Sequence, residues 1–267
     1  MAQRIEIAGA RFAYEDTGGD GPAVLFLHGL GGFSNGWLAQ LEACRRRGWR
    51  GIAPDQRGAG RSDSPPGPYS LDLWAGDAVG LLDGLGVERA ALVGHSAGCM
   101  IAAAAAQRLG QRAWALALCG GIAEWPPQAA AAFAERARLA RAGRTDEIAE
   151  AVAATGLSER CRREDPRLHG LMLEAIASAD GESYARWAEA VAEARIEAIE
   201  SIACPLLAFC GSEDPVTPPA ASEQIAAAAP RGSAAVVPGA AHWCFLEDPE
   251  RVTKTLFGFL GPLAPDR

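Results

Sequence analysis

Ser96 lies in Gly94-His95-Ser96-Ala97-Gly98, with a glycine two residues away on either side. That spacing has a mechanical reason. A nucleophile lifted clear of a sheet sits on a turn so sharp that strand and helix nearly touch, and only small residues fit around it. A serine hydroxyl is a poor nucleophile until a base takes its proton, and the base needs an acid to orient it. Four histidines are available. His28 closes the apolar run Leu25–Leu27, strand alternation turns His95 away from the serine, and His169 sits among charged residues of a helical stretch. His242 follows Pro238-Gly239-Ala240-Ala241, just past the last expected strand. Reactive groups gather at that edge of open α/β sheets, so His242 is the expected base. For the acid, Asp214 in Gly211-Ser212-Glu213-Asp214-Pro215 is favoured because a residue before proline is held extended, with Glu213 as the alternative. Acyl transfer also needs two N–H donors for an oxyanion. Ala97 at a helix start offers one, and the loop His28-Gly29-Leu30-Gly31-Gly32 offers the other, from Leu30 or else from Gly29 or Gly31.

These groups must be held by strands and helices. Short apolar runs bounded by Gly, Pro and Asp alternate with segments of helical period, the pattern of a mainly parallel sheet covered by helices. Residues 3–8 and 11–16 predict an opening hairpin, and 23–27, 49–54, 90–93, 114–119, 205–209 and 234–237 predict six further strands. Helices are expected over 71–86, 97–109, near 220–228, and over 249–260. The expected fold class is α/β, with an eight-stranded, mostly parallel sheet. Between Ile122 and Ser201 no strand-like run occurs, only stretches rich in Ala, Glu and Arg. The reading divides the chain into a core of 1–121 and 202–267 and an inserted helical cap of 122–201.

Of the 267 residues 49% are hydrophobic, enough for a sizeable core. Lys+Arg 25 against Asp+Glu 33 gives a net charge of -8, which leaves no basic footprint for nucleic acid or an anionic membrane. Seven scattered cysteines without a C-x-x-C pair, and an N-terminus without a signal-like apolar block, point to a cytoplasmic protein. No metal or cofactor motif is present, so none is expected, and the sequence sets no oligomeric state.

Five motifs in order resemble the α/β-hydrolase superfamily over essentially the whole chain: His28–Gly32, Asp55-Gln56-Arg57-Gly58-Ala59-Gly60-Arg61-Ser62, the Ser96 turn, Gly211-x-x-Asp214-Pro215, and Ala241-His242. The order Ser96, Asp214, His242 is that of its triads. Within it the chain is similar to bacterial 3-oxoadipate enol-lactonases and to the aminoacrylate hydrolase of pyrimidine breakdown, through His28–Gly32, Asp55–Gly58 and Tyr69-Ser70-Leu71-Asp72-Leu73. The resemblance implies scaffold roles for Arg57 and Arg61. It also sets aside epoxide hydrolases and haloalkane dehalogenases, which carry Asp at the position of Ser96. Cys99 departs from the Gly-Gly pair of many relatives, and Trp243 after His242 is similar to C–C bond hydrolases of aromatic ring degradation.

The resulting expectation is a serine hydrolase that cleaves a small carboxylic ester, lactone or related acyl bond. Ser96, Asp214 and His242 form its triad, and Leu30 and Ala97 its oxyanion hole. Trp125, Trp187 and Trp243 are expected to touch a small-molecule substrate. A substrate carboxylate would call for a cap arginine, with Arg138, Arg141 and Arg186 as candidates. Cys99 and Cys244 are read as packing. The alternatives are cleavage of a C–C bond in a vinylogous diketone, hydrolysis of a carbamate or enamine-type amide, a ligand-binding receptor without turnover, and cofactor-free peroxidase chemistry.

Overall fold

The computed structural model describes residues 3–265. The chain opens with β1 (Gln3–Ile7) and β2 (Ala10–Asp16), antiparallel partners joined at Ala8-Gly9. β2 continues antiparallel onto β4 (Arg50–Pro54), and every later pairing is parallel. With β3 (Ala23–Leu27), β5 (Ala90–His95), β6 (Ala113–Cys119), β7 (Leu206–Gly211) and β8 (Gly232–Val237) the sheet has the order β1-β2-β4-β3-β5-β6-β7-β8. The eight expected strands are all present. β3, β5, β6 and β7 are buried at every position, as apolar runs covered on both faces must be. β8 is an edge strand and mostly exposed. It begins two residues before the apolar run that marked it, at Gly232-Ser233.

The chain leaves β3 to form β4 on one side and returns to form β5 on the other. Leu27 and Gly94 are register partners, so the C-terminal ends of β3 and β5 lie side by side where the winding reverses. Ligand sites of open α/β sheets form in the crevice outside such strand ends.

α1 (Leu38–Arg46) covers β4 and was not expected from the sequence. α2 (Leu71–Gly84) starts where the Ser70 hydroxyl accepts from Leu73 N–H, a cap worth about 1 kcal/mol. It stops two residues short of the expected end. α3 (Ala97–Leu109) is buried at ten positions, mostly alanine, glycine and other small residues. Small side chains let it press onto β3 and β5: a Cβ at Gly98 would stand 2.3 Å from Leu27 O.

Between β6 and β7 run five helices: α4 (Pro127–Arg141), α5 (Thr145–Gly156), α6 (Glu159–Glu164), α7 (Pro166–Ala177) and α8 (Gly181–Glu193). Ser158, Asp165 and Asp180 cap α6, α7 and α8 through their side chains. A bridge between Glu124 and Arg195, with Ile196 N–H donating to Ala123 O at 2.7 Å, draws the two ends of this segment together. α9 (Pro219–Ala228), the short α10 (Cys244–Glu247) and α11 (Pro249–Leu260) complete the chain. Among the described residues no helix is long and apolar enough to cross a membrane.

Candidate active site

Ser96 occupies the junction of β5 and α3 with φ 54° and ψ -123°. A non-glycine residue there costs roughly 1–3 kcal/mol of strain and persists only where its surroundings hold it. Ser96 N–H donates to Cys119 O at 3.0 Å, and its carbonyl accepts from Cys99 N–H at 2.8 Å. The glycines on either side are required by contact. A Cβ at Gly94 would meet Gly98 O at 2.2 Å, and one at Gly29 would meet Ser96 Cβ at 2.9 Å and Ala97 N at 3.3 Å. The loop after β3 therefore lies directly against the start of α3. Ala97 N–H, in the first turn of that helix, has no intrahelical acceptor.

His242 and Asp214 come together from the ends of β8 and β7. His242 Nδ1 donates to Asp214 Oδ2 at 2.9 Å, which leaves Nε2 as the basic nitrogen. Asp214 Oδ1 accepts from Val216 N–H at 2.8 Å and Thr217 N–H at 2.9 Å, and the Thr217 hydroxyl donates to Oδ2 at 2.8 Å. Burial pushes this carboxyl up, but His242 and the Thr217 donors outweigh it and hold Asp214 below the ordinary carboxylate range. Glu213, the alternative acid, is exposed.

Ser96, Ala97 and His242 line one cavity of about 50 Å³, together with Leu30, Trp125 and Trp243. Trp187 does not line it. Its indole donates to Arg57 O at 2.7 Å, stacks on His28 and lies tilted against Trp74, and it borders a separate cleft of about 610 Å³ that Leu30 also lines.

The residues around Ser96, Asp214 and His242 are held by equally specific contacts. Gln56 N–H donates to His28 Nε2 at 3.0 Å, so the proton is on Nδ1, which donates to Gly29 O at 2.8 Å. His28 thereby fixes the loop that carries Leu30. His95 Nε2 donates to His242 O at 3.0 Å and clamps the backbone of the histidine loop. Burial holds both imidazoles below the ordinary value, His95 down to about 3. Arg57 makes a buried two-bond pair with Asp77, and Arg61 binds Asp55 and the Ser34 hydroxyl behind the same loop. The Cys99 thiol is fully buried and donates to Gly94 O, and burial pushes its pKa far up. His169 is half-buried on α7, away from the cavity.

Three contributors were not anticipated: Thr217, Glu247 and Arg136. Thr217 sits in an Asp-x-x-Thr turn, where a carboxylate capping the following amides is a local signal. Arg136 lies three residues after Phe133 on α4, the spacing that puts both on one face, and both line the Ser96 cavity. The arginines named from the sequence are engaged elsewhere, Arg138 with Glu135, Arg141 with Glu182 and Glu189, and Arg186 with Glu182. Among the described residues no three His, Cys, Asp or Glu side chains converge as metal ligands.

The sequence pattern of the alpha/beta hydrolase fold family matches residues 22–249. The chain belongs to this family. Among solved structures, this alpha/beta hydrolase is similar to a thermophilic esterase from Thermogutta terrifontis with malate bound, at 31% identity and TM-score 0.92, covering 99% of this chain and 100% of that one. It is similar to the enol-lactonase from Burkholderia xenovorans LB400 at 28% identity and TM-score 0.90, covering 97% and 100%. RutD of Klebsiella pneumoniae, named for carbamate hydrolysis, is 30% identical over 252 residues, 91% of the hydrolase and 93% of RutD. Epoxide hydrolase 2 of Siraitia grosvenorii is 50% identical over 86 residues alone, 32% of this chain and 27% of that protein's length.

Proposed function

We propose that this alpha/beta hydrolase is a serine hydrolase that cleaves a small carboxylic ester, lactone or related acyl bond through an acyl-enzyme on Ser96. The observation that carries the reading is the Asp214–His242 pair, 2.9 Å apart, with His242 lining the same cavity as Ser96. His242 Nε2 takes the Ser96 proton as Oγ attacks the carbonyl carbon, and Asp214 holds the ring in that tautomer and stabilises the imidazolium that forms. The Ala97 and Leu30 amides hold the oxyanion at the crossing of α3 and the β3 loop. His242 then gives its proton to the departing alkoxide. A water, deprotonated in the same way, releases the acid and restores Ser96.

The small cavity suits a short acyl group. Residues 122–201 act as a cap over the sheet's C-terminal edge, bringing Trp125 to the nucleophile, while Trp243 stands beside the base. The likeness to an esterase and an enol-lactonase, both near-complete in coverage, supports carboxylic ester or lactone chemistry. Free cysteines fit a reducing cytoplasmic location. A second reading, a carbamate as substrate, is favoured by the match to RutD along 93% of its length.

Ser96→Ala is expected to lower kcat for a short 4-nitrophenyl ester by on the order of 10⁴-fold or more, with the thermal unfolding midpoint preserved. A folded variant that keeps wild-type turnover overturns the assignment. Parallel assay of a short alkyl carbamate separates the two substrate readings by their kcat/KM.

A further inference from the structure

The end of the sheet opposite Ser96 holds a cleft of about 620 Å³. Its shape follows from the strand register. Leu116 in β6 is the partner of Leu206 at the start of β7, and Leu206 is the partner of Gly232 at the start of β8. β6 begins at Ala113 and so stands proud of both neighbours, with Trp114 in the wall of the step and Pro205 at its floor. The charge in the cleft is of one sign. Arg89 leads into β5, Arg112 into β6 and Arg231 into β8, and all three line it, whereas no Asp or Glu does. Arg112 is partly engaged, by Asp83 and by the carbonyls of Val87 and Glu88. Arg89 and Arg231 are exposed and have no carboxylate partner among the described residues. Trp114 adds a donor of another kind: it is 5% exposed, and its Nε1 is buried with no acceptor. It is also the extra residue of a bulge, since Ala90 pairs with Ala113 and Ala91 with Ala115, and bulges re-aim side chains beside sites. Like charges gathered together and a buried donor without an acceptor each cost stability in the free protein. One kind of ligand relieves both, an anion with several acceptor oxygens.

We propose that this cleft is a second binding site, for a small polyanion bearing phosphate or carboxylate groups, remote from Ser96 and independent of the acyl-transfer reading. Neighbouring strands lie about 4.8 Å apart, so Arg89 and Arg231, three strands from each other, enter the sheet roughly 14 Å apart with Arg112 between them. A lone monoanion meets one guanidinium at a time. An anion of three or more charges, with oxygens at both ends, is met from several sides by planar forks that suit phosphate and carboxylate alike. The indole of Trp114, a donor only, contributes one neutral hydrogen bond and no charge. In a chain of net charge -8, a cleft lined by three arginines and no acid is a place where the local field favours an anion that the rest of the surface repels.

The probes are inorganic pyrophosphate and citrate, titrated by calorimetry into the full chain at constant ionic strength, with sodium chloride as the control for screening. Saturable binding of at least one probe, one per chain, is expected. Pyrophosphate alone would identify phosphate as the recognised group, citrate alone carboxylate, and both together a site read by charge, and each of these supports the proposal. The double variant Arg89→Gln, Arg231→Gln changes two exposed side chains, and circular dichroism checks that its fold is kept. It should weaken binding by about tenfold or more. Trp114→Phe keeps a ring in the wall and removes the Nε1 donor, for an expected loss of about three- to tenfold in affinity. Absence of saturable heat with both probes overturns the site. So does equal affinity in the double variant, which would place the anion elsewhere on the molecule, the Ser96 cavity included.

Discussion

Thr217 is fully buried, and its hydroxyl bridges the two groups that would activate Ser96. It donates to Asp214 Oδ2 at 2.8 Å, and its oxygen stands 3.2 Å from His242 Nδ1. In the proposed mechanism the imidazolium exists only along the reaction path, so a group that braces the Asp214–His242 pair acts on kcat more than on KM. Thr217→Val keeps the shape and removes the hydroxyl, leaving Asp214 its two backbone donors. The expected result is a roughly three- to tenfold fall in kcat with KM little changed, the kinetic equivalent of one buried hydrogen bond. Thr217→Ser should restore most of the rate. A fall in KM and kcat together, or no rescue by serine, would assign Thr217 to packing alone. At this scale the sequence was legible wherever residue type and local geometry are tied. A serine between crowded glycines and an aspartate held before a proline are of that kind. Arg136 was not legible, because helical spacing says which residues share a face of α4 but not whether that face meets solvent or a cavity.

At the scale of elements, a single carboxylate joins the helical segment to the histidine loop. Glu247 on α10 accepts from Ala241 N–H at 2.8 Å and Ser158 N–H at 3.1 Å through one oxygen, and from the Ser158 hydroxyl through the other. Beside it Trp243 N–H donates to Gly156 O at 2.9 Å, and a Cβ at Gly156 would meet Trp243 Cδ1 at 2.8 Å. The end of α5, the cap of α6 and the residues flanking His242 are thus one unit. Glu247→Ala strands three donors and is expected to cost about 1–3 kcal/mol, a fall of roughly 2–8 °C in the melting point followed by circular dichroism. Faster hydrogen exchange at the Ala241 and Ser158 amides would locate the loss. An unchanged melting point and exchange rate would show that water replaces the staple without penalty. None of this is written in Glu247's neighbours along the chain, since its partners lie 6 and 89 positions away. The strands buried on both faces were legible as continuous apolar runs. α1 was not: Leu41, Ala43 and Cys44 are its main apolar contribution to the core, and the exposed Leu38 blurs the stripe. Within 122–201 the helical character was legible, but the individual breaks depend on caps such as Ser158 and on Asp165 before Pro166, short signals inside an alanine-rich background.

For the whole molecule, the two histidines that organise the site also set how the fold responds to acid. His28 and His95 are fully buried, and burial keeps each imidazole neutral below its ordinary pKa, His95 down to about 3. In the unfolded chain both take a proton near pH 6.5. Below that pH the unfolded state binds more protons than the native one, so stability present at neutral pH is lost progressively as pH falls toward the folded-state values. Each such histidine contributes about 1 kcal/mol of lost stability per pH unit once its unfolded form is charged. Between pH 6.5 and 5 few carboxylates titrate, which isolates the effect. Urea unfolding of the wild type should therefore show a midpoint that drops steadily across that interval. His95→Gln keeps an N–H donor for His242 O and removes the titration. It should lower stability at pH 7 through imperfect packing among His242, Trp243 and Phe245, yet flatten the dependence on pH by the share of one histidine. An equally steep dependence in the variant would mean that His95 is already charged, or free to become so, in the native fold. The Nε2 donor to His242 O would then no longer identify the neutral tautomer. Since His28 braces the Leu30 loop and His95 the His242 loop, protonation that unseats either ring disturbs the site from the side that ring braces.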